Sequence, residues 1–422
     1  MHIFNNRTKK FALILIGPIG CYVTYQILFI FRYLNIEQYP ILTSVYTNGG
    51  AIIDSACALA VIFMGGLIVR RVGILDDFSP SQKSLSTISL MLIIAGIFGL
   101  LAMSVYRTLG TLSPEYFMQE YQTYNFKATD GGAWMILAIY AALFLQLMDM
   151  YFGGVTKKNG AFLVLSILVT SLSGGRGILI LFSLMFIVLM MFQRVKFVDF
   201  LIASSLAVAS IGVSYVLITD MRAPQTHRAV LPHGVGIAEN RLAVNPTDSF
   251  EDMNYNAAFI SEDVLSAIKS HEIEPSAYAL EDAQVTFVPR KLMPSKAIST
   301  AETRAIYPEV AKRGTNITFP LKANLLMHLG EWAFYADWIV VAICQALMIF
   351  GIVRRNSTPG LLGFAMLFSG IGFTLVARGG IFNARLLVIL ACILAAYAGY
   401  RALLSAQNGL SFSRKLPGIT VK

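Results

Sequence analysis

The chain has 422 residues, of which 56% are hydrophobic and only 14% charged, with a mean hydropathy of +0.65. Soluble domains carry about a quarter charged residues, so this chain lacks the polar surface to meet water on every side. The formal net charge of +9 does not mark a nucleic-acid binder. The excess lies at the ends of apolar segments, whereas residues 220–333 hold 11 basic and 14 acidic side chains.

About ten apolar segments have lengths suited to a hydrocarbon core of ~30 Å. They fall at 11–31, 51–69, 86–106, 133–152, 161–174, 177–193, 198–218, 334–353, 360–377 and 381–404. Basic residues precede the first, without a small-residue cleavage site after it, which reads as a retained helix and not a signal peptide. With the N-terminus inside, the inner ends carry Arg7, Lys9 and Lys10, then Arg70, Arg71 and Lys83, then Lys157 and Lys158. Arg194 and Lys196, Arg354 and Arg355, and finally Arg401, Arg414, Lys415 and Lys422 complete the set. The short outer connections hold only Arg32, Arg107, Lys127, Arg176 and Arg378. This threading obeys the positive-inside rule and puts both termini in the cytoplasm. It divides the chain into helices one to seven (1–219), a large outer loop (220–333), and helices eight to ten with a cytoplasmic tail (334–422).

The outer loop is too long for a passive connector. Apolar spacing predicts short helices over 249–268 and 300–311, and enough apolar content to fold over the membrane helices. A second outer loop, 107–132, is rich in aromatics: Tyr116, Phe117, Tyr121, Tyr124 and Phe126. Such rings suit either stacking on sugar faces or anchoring at the membrane interface. Cys21, Cys57, Cys344 and Cys392 all lie inside apolar blocks and read as packing residues, without a disulfide framework.

Two similar turns carry the chemistry. One reads Ser173-Gly174-Gly175-Arg176-Gly177, the other Ala377-Arg378-Gly379-Gly380, and each sets an arginine among glycines where a helix begins. A helix N-terminus offers free N–H groups and partial positive charge, and glycines let an anion approach the backbone. Arginine adds a planar fork for phosphate oxygens; the alternative is a tight solvated turn. Arg385, seven residues after Arg378, is placed by helical period on the same face, about two turns deeper. It reads either as a further anion contact or as an ion-pair partner of Asp54. In the outer loop, Pro289-Arg290-Lys291-Leu292-Met293-Pro294-Ser295-Lys296 is a basic segment stiffened by prolines. It suits a pyrophosphate clamp or a solvated turn. His328 and Glu331 stand three apart before the eighth span, close enough to share a helical face, and either side chain can serve as general base. An interfacial helix cap with Trp332 as anchor is the competing reading. No HExxH, DxD or His/Cys cluster marks a metal site, so neither metal nor cofactor is expected.

These motifs resemble the Wzy-type polysaccharide repeat-unit polymerases, or O-antigen polymerases, of the bacterial inner membrane. The similar elements are Gly-Gly-Arg-Gly (174–177), Pro-Arg-x-x-x-Pro-x-Lys (289–296), Gly-Glu (330–331) and Arg-Gly-Gly (378–380), spread over about residues 160–390. Where family members often have Lys-Pro after the second proline, this chain has Lys296-Ala297. The resemblance implies an all-α integral membrane protein with one large, partly helical periplasmic loop, and a metal-independent glycosyltransferase similar to the C-type integral-membrane superfamily. It implies undecaprenyl-pyrophosphate-linked oligosaccharides as substrates and membrane lipids as surroundings, leaves room for a chain-length regulator as partner, and gives no role to nucleic acid. Arg176, Arg378, Arg290, Arg385 and Lys296 would hold the pyrophosphate, with Glu331, and after it His328, as base. Two other functions share these features: an O-antigen ligase, and a lipid-linked oligosaccharide flippase or secondary transporter.

Overall fold

The computed structural model describes residues 17–27, 39–71, 84–109, 132–171, 176–192, 248–278, 299–312, 319–330, 335–354, 359–371 and 384–413, with a few single positions between them. Among these residues the regular structure is all helical. In chain order the helices are α1 (Pro18–Tyr25), α2 (Pro40–Val45), α3 (Ala51–Arg71), α4 (Thr87–Leu109), α5 (Gly132–Gly153), α6 (Lys157–Ser171) and α7 (Arg176–Phe192). Then come α8 (Asp248–Lys269), α9 (Ala301–Ile306), α10 (Pro308–Lys312), α11 (Leu321–Leu329), α12 (Ala336–Val353), α13 (Pro359–Ile371) and α14 (Ala384–Ser413).

Three helical runs among the described residues are long and apolar enough to cross a membrane: Pro40–Arg70, Ala336–Val353 and Val388–Asn408. Shorter apolar helices lie at Thr87–Met103, Leu137–Gly153 and Phe182–Met191. The lipid-facing sides are legible in exposed apolar residues such as Ile52, Leu59 and Phe63 on α3 and Ile88 and Leu92 on α4. Such surface is costly in water and at home in hydrocarbon. Of the seventh apolar segment, 198–218, only positions 201, 202, 204, 205 and 209 are described, all of them helical, and the aromatic stretch 110–131 lies outside the described residues.

The second span differs from the expected 51–69. A π-helical turn, Tyr46–Gly50, joins α2 to α3, with Gly49 at φ 100° where a side chain would be strained. The joined run has 31 residues and is about 46 Å long, more than a hydrocarbon core needs. Its first turns therefore stand clear of the span: Tyr39, Leu42 and Tyr46 pack into the same buried cluster as Val264 of α8 and Leu325 of α11.

Two apolar cores result. One gathers α4, α5, α6 and α7 with the C-terminal half of α12, α13 and α14. The other gathers α1, α2, α8, α11 and the N-terminal half of α12. Helices α8 and α11 of the 220–333 segment thus fold onto the apolar helices, as the apolar content of that segment predicts. The second predicted loop helix, 300–311, is split into α9 and α10 at Tyr307, because Pro308 cannot continue the hydrogen-bonded ladder. Helix ends are fixed locally: Thr156 and Asn159 cap α6 reciprocally, Asn159 N–H to Thr156 Oγ1 at 3.2 Å and Thr156 N–H to Asn159 Oδ1 at 2.7 Å. That cap makes Lys157 and Lys158 the first turn of α6, where a linker was expected.

The two ends of the assembly are polar. At one, Asp149 near the end of α5 accepts from Leu85 N–H (2.7 Å), Ser84 Oγ (3.0 Å) and Asn159 Nδ2 (3.2 Å). Lys158 donates to the Leu85 carbonyl at 2.6 Å. The other end holds the candidate site.

Candidate functional site

Helix α7 opens at Arg176, directly after the glycines of the first turn. Its register against α13 is set by aromatic packing: Phe182 and Phe368 have ring centroids 5.3 Å apart, and both pack on Phe144 of α5, at 5.1 and 4.6 Å. Phe182 is six residues into α7 and Phe368 is three before the end of α13, so the start of α7 lies beside the end of α13. The chain therefore enters the segment that contains Arg378 at the same end where Arg176 opens its helix. Arg385 is the second residue of α14. Arg290, Lys296, Glu331 and Arg378 lie outside the described residues.

The best-defined charged constellation is one that sequence reasoning did not assemble. Lys322, in the first turn of α11, points its ammonium between two carboxylates: Asp54 Oδ1 at 3.3 Å and Asp337 Oδ2 at 2.9 Å. The three side chains are 2%, 1% and 0% exposed. Asp54 is in the first turn of α3 and Asp337 in the first turn of α12, where the helix dipole favours negative charge. Asp54 Oδ1 also accepts from Trp338 Nε1 at 2.7 Å. Asp337 accepts from the Tyr22 hydroxyl and from Gln26 Nε2 at 3.4 Å, and the Tyr335 ring lies 5.4 Å from the Lys322 ammonium. This network ties the outer-loop layer to α1, α3 and α12.

Asp54 therefore has Lys322 as an ion-pair partner; the side chain of Arg385, the partner suggested for it, lies outside what the structure describes. A second buried carboxylate fastens the layer elsewhere. Glu262 of α8 accepts from the N–H groups of Ile41 (2.9 Å) and Leu42 (2.6 Å), capping α2 across a gap of more than two hundred residues in sequence. Tyr307 donates to Asp263 Oδ2 at 2.6 Å. Burial, and then the adjacent Asp263 carboxylate, push its phenol well above the ordinary range, so it stays a donor at any physiological pH.

His328 sits in the last turn of α11, its Nδ1 2.7 Å from the Asn324 carbonyl. A carbonyl only accepts, so Nδ1 is the donor in this bond. Helix α11 ends at Leu329, with Gly330 at φ 78° following it; Glu331, expected to share a helical face with His328, lies outside the described residues.

No family model, no curated protein and no solved structure matches the chain. The geometry of its own residues thus carries the functional reading.

A sequence signal for the Lys322 hub existed. An ionisable residue in an apolar run is expensive and seeks a partner. Asp54 met that description, as did Asp337 at the head of a span and Lys322 in Leu321-Lys322-Ala323-Asn324-Leu325-Leu326. Which of them meet is long-range information: Lys322 and Asp54 are 268 residues apart.

Proposed function

We propose that the chain polymerises lipid-linked oligosaccharide repeat units into a surface polysaccharide, on the periplasmic face of a bacterial inner membrane that it crosses about ten times. The observation that carries this reading is the pairing of α7 and α13, which brings the helix opened by Arg176 beside the exit toward Arg378. An arginine-glycine turn brought to that end from each of the two segments would suit the two phosphates of an undecaprenyl pyrophosphate. The folded layer of α8 and α11, seated on α1, α2 and the N-terminal half of α12, would cover the sugar.

In the reaction, a hydroxyl oxygen of the incoming lipid-linked unit attacks the anomeric carbon of the growing chain. The bond from that carbon to the pyrophosphate oxygen breaks, and the pyrophosphate leaves on its lipid. The hydroxyl proton passes to a base, Glu331 or His328. Arginines would stabilise the charge that develops on the leaving group. The chemistry needs no metal, so elongation is expected to survive excess EDTA.

A second reading, a lipid-linked oligosaccharide transporter, draws support from the buried Lys322–Asp54–Asp337 hub, since ionisable groups inside membrane helices often mark substrate or ion paths. One experiment separates the readings. Purified full-length protein in detergent is given lipid-linked repeat units as the sole substrate. A polymerase builds a ladder of glycan lengths without a membrane. Absence of a ladder there, with glycan transfer only when lipid A core is added, would make the protein a ligase. Activity only as transbilayer movement in vesicles would make it a transporter.

A further inference from the structure

The hub around Lys322 is not balanced in charge. Two carboxylates and one ammonium are held together, each at least nine-tenths buried. Among the described residues, the other titratable groups that face the two carboxylates supply no cation. Tyr22 comes from α1, Tyr46 from the π-helical turn, Cys57 from α3 and Tyr335 from the residue before α12. Each of these is neutral or, if ionised, negative. An uncompensated charge at such a position is costly, and proteins neutralise it with a partner.

Gln26 supplies an independent observation. Its side chain is 2% exposed, and its Nε2 is spent on the Tyr22 hydroxyl at 2.6 Å and on Asp337 Oδ2 at 3.4 Å. Its Oε1, on the same amide group and hence at the hub, accepts no hydrogen bond. Asp54, for its part, uses the single oxygen Oδ1 for both Lys322 and Trp338. Among the described residues, the hub therefore holds two carboxylates against one ammonium and leaves Gln26 Oε1 and Asp54 Oδ2 without a hydrogen bond.

We propose that the Asp54–Lys322–Asp337 hub, with Gln26 beside it, is a binding site for one small monovalent cation, a proton or Na⁺. The cation would sit where the outer-loop layer meets α1, α3 and α12, and would stabilise the docking of α11 on the membrane helices. Tyr335, only partly buried, lies over Lys322. The proposal draws on none of the arginines assigned to pyrophosphate, so it stands apart from the polymerase reading.

The test is thermal unfolding of the full-length protein in detergent, with NaCl exchanged for choline chloride at constant ionic strength and the pH varied in a separate series. A ligand that binds only the folded state raises the melting temperature as its concentration rises. The expected shift is about 2–4 °C for each tenfold rise in cation above its dissociation constant. A response to Na⁺ at fixed pH identifies Na⁺ as the occupant; a response to falling pH in choline alone identifies the proton. Asp54→Asn and Asp337→Asn each leave one carboxylate facing one ammonium, so either substitution should flatten the response. Lys322→Gln leaves two carboxylates without an ammonium and should steepen it. Wild-type protein that melts at the same temperature across both series overturns the proposal without any variant. A response that persists undiminished in both asparagine variants overturns it as well.

Discussion

Arg176 and Arg378 are the residues whose chemistry can be tested most directly. If both grip a pyrophosphate, lysine cannot replace either, because a point charge does not reproduce the two-pronged fork. Arg176→Lys and Arg378→Lys should keep normal protein levels and lose most glycan elongation, and the double substitution should cost less than the sum of the singles. Full ladders from both lysine variants at normal levels would reduce the two turns to loop structure. The base is a separate question at the same scale. His328 and Glu331 are the two candidates, and separate substitutions decide between them. Glu331→Gln preserves shape but removes the carboxylate, and should lower the rate by about 10²–10⁴ if Glu331 is the base. A near-normal rate in Glu331→Gln, with a comparable loss in His328→Gln, would transfer the role to His328, whose Nδ1 donates to the Asn324 carbonyl.

Among the elements, the tightest contact is the crossing of α12 and α13. A Cβ built on Gly363 would meet the Gly351 carbonyl carbon at 2.5 Å and Ile352 N at 2.6 Å, both backbone atoms that cannot swing away. Membrane helices approach closely through such small residues, since lipid supplies no hydrophobic drive to push them together. Gly363→Val should therefore destabilise the protein by about 1–3 kcal/mol, read as a lower melting temperature in detergent. Gly66→Ala on α3, where an added Cβ meets nothing within 4 Å, should leave it unchanged or slightly raised. Equal effects at the two sites would deny the crossing its special closeness. The sequence displays these helices well, because hydropathy is a local property: α4, α5, α7, α12 and α13 all lie close to their predicted apolar blocks. It displays the α8 helix too, whose apolar period over 249–268 is matched by Asp248–Lys269. It does not display the π-helical turn that carries the second span back to Pro40, nor the end of α11 at Gly330, which rests on a backbone turn to φ 78°. The Lys322 hub is invisible for a stronger reason, since neither hydropathy nor spacing says which buried charges meet.

At the scale of the whole molecule, the two polar clusters define the ends and so bear on how the chain is threaded. Asp337 opens α12, and Gly351, fourteen residues later, lies against Gly363; that interval of helix is about 21 Å. Phe364 next to it packs on Tyr151 at 5.4 Å, two residues beyond Asp149. The Asp149 cluster is thus at the opposite end from the Lys322 hub, and Gln407 near the end of α14 joins it by accepting from Ser86 N–H at 3.0 Å. The basic residues predict that the Asp149 end faces the cytoplasm and the Lys322 end faces outward. Ser276 belongs to the second end: it is exposed, and its N–H donates to the Met327 carbonyl of α11 at 3.1 Å. Ser405, exposed on α14 two residues before Gln407, belongs to the first. A membrane-impermeant maleimide should therefore label Ser276→Cys in intact spheroplasts and Ser405→Cys only after permeabilisation, with the unsubstituted protein giving the background from Cys21 and Cys57. The reverse pattern would invert the threading while keeping the fold. Equal labelling of both from outside would mean that the two polar ends are not separated by a membrane, and the polytopic reading would fall with it.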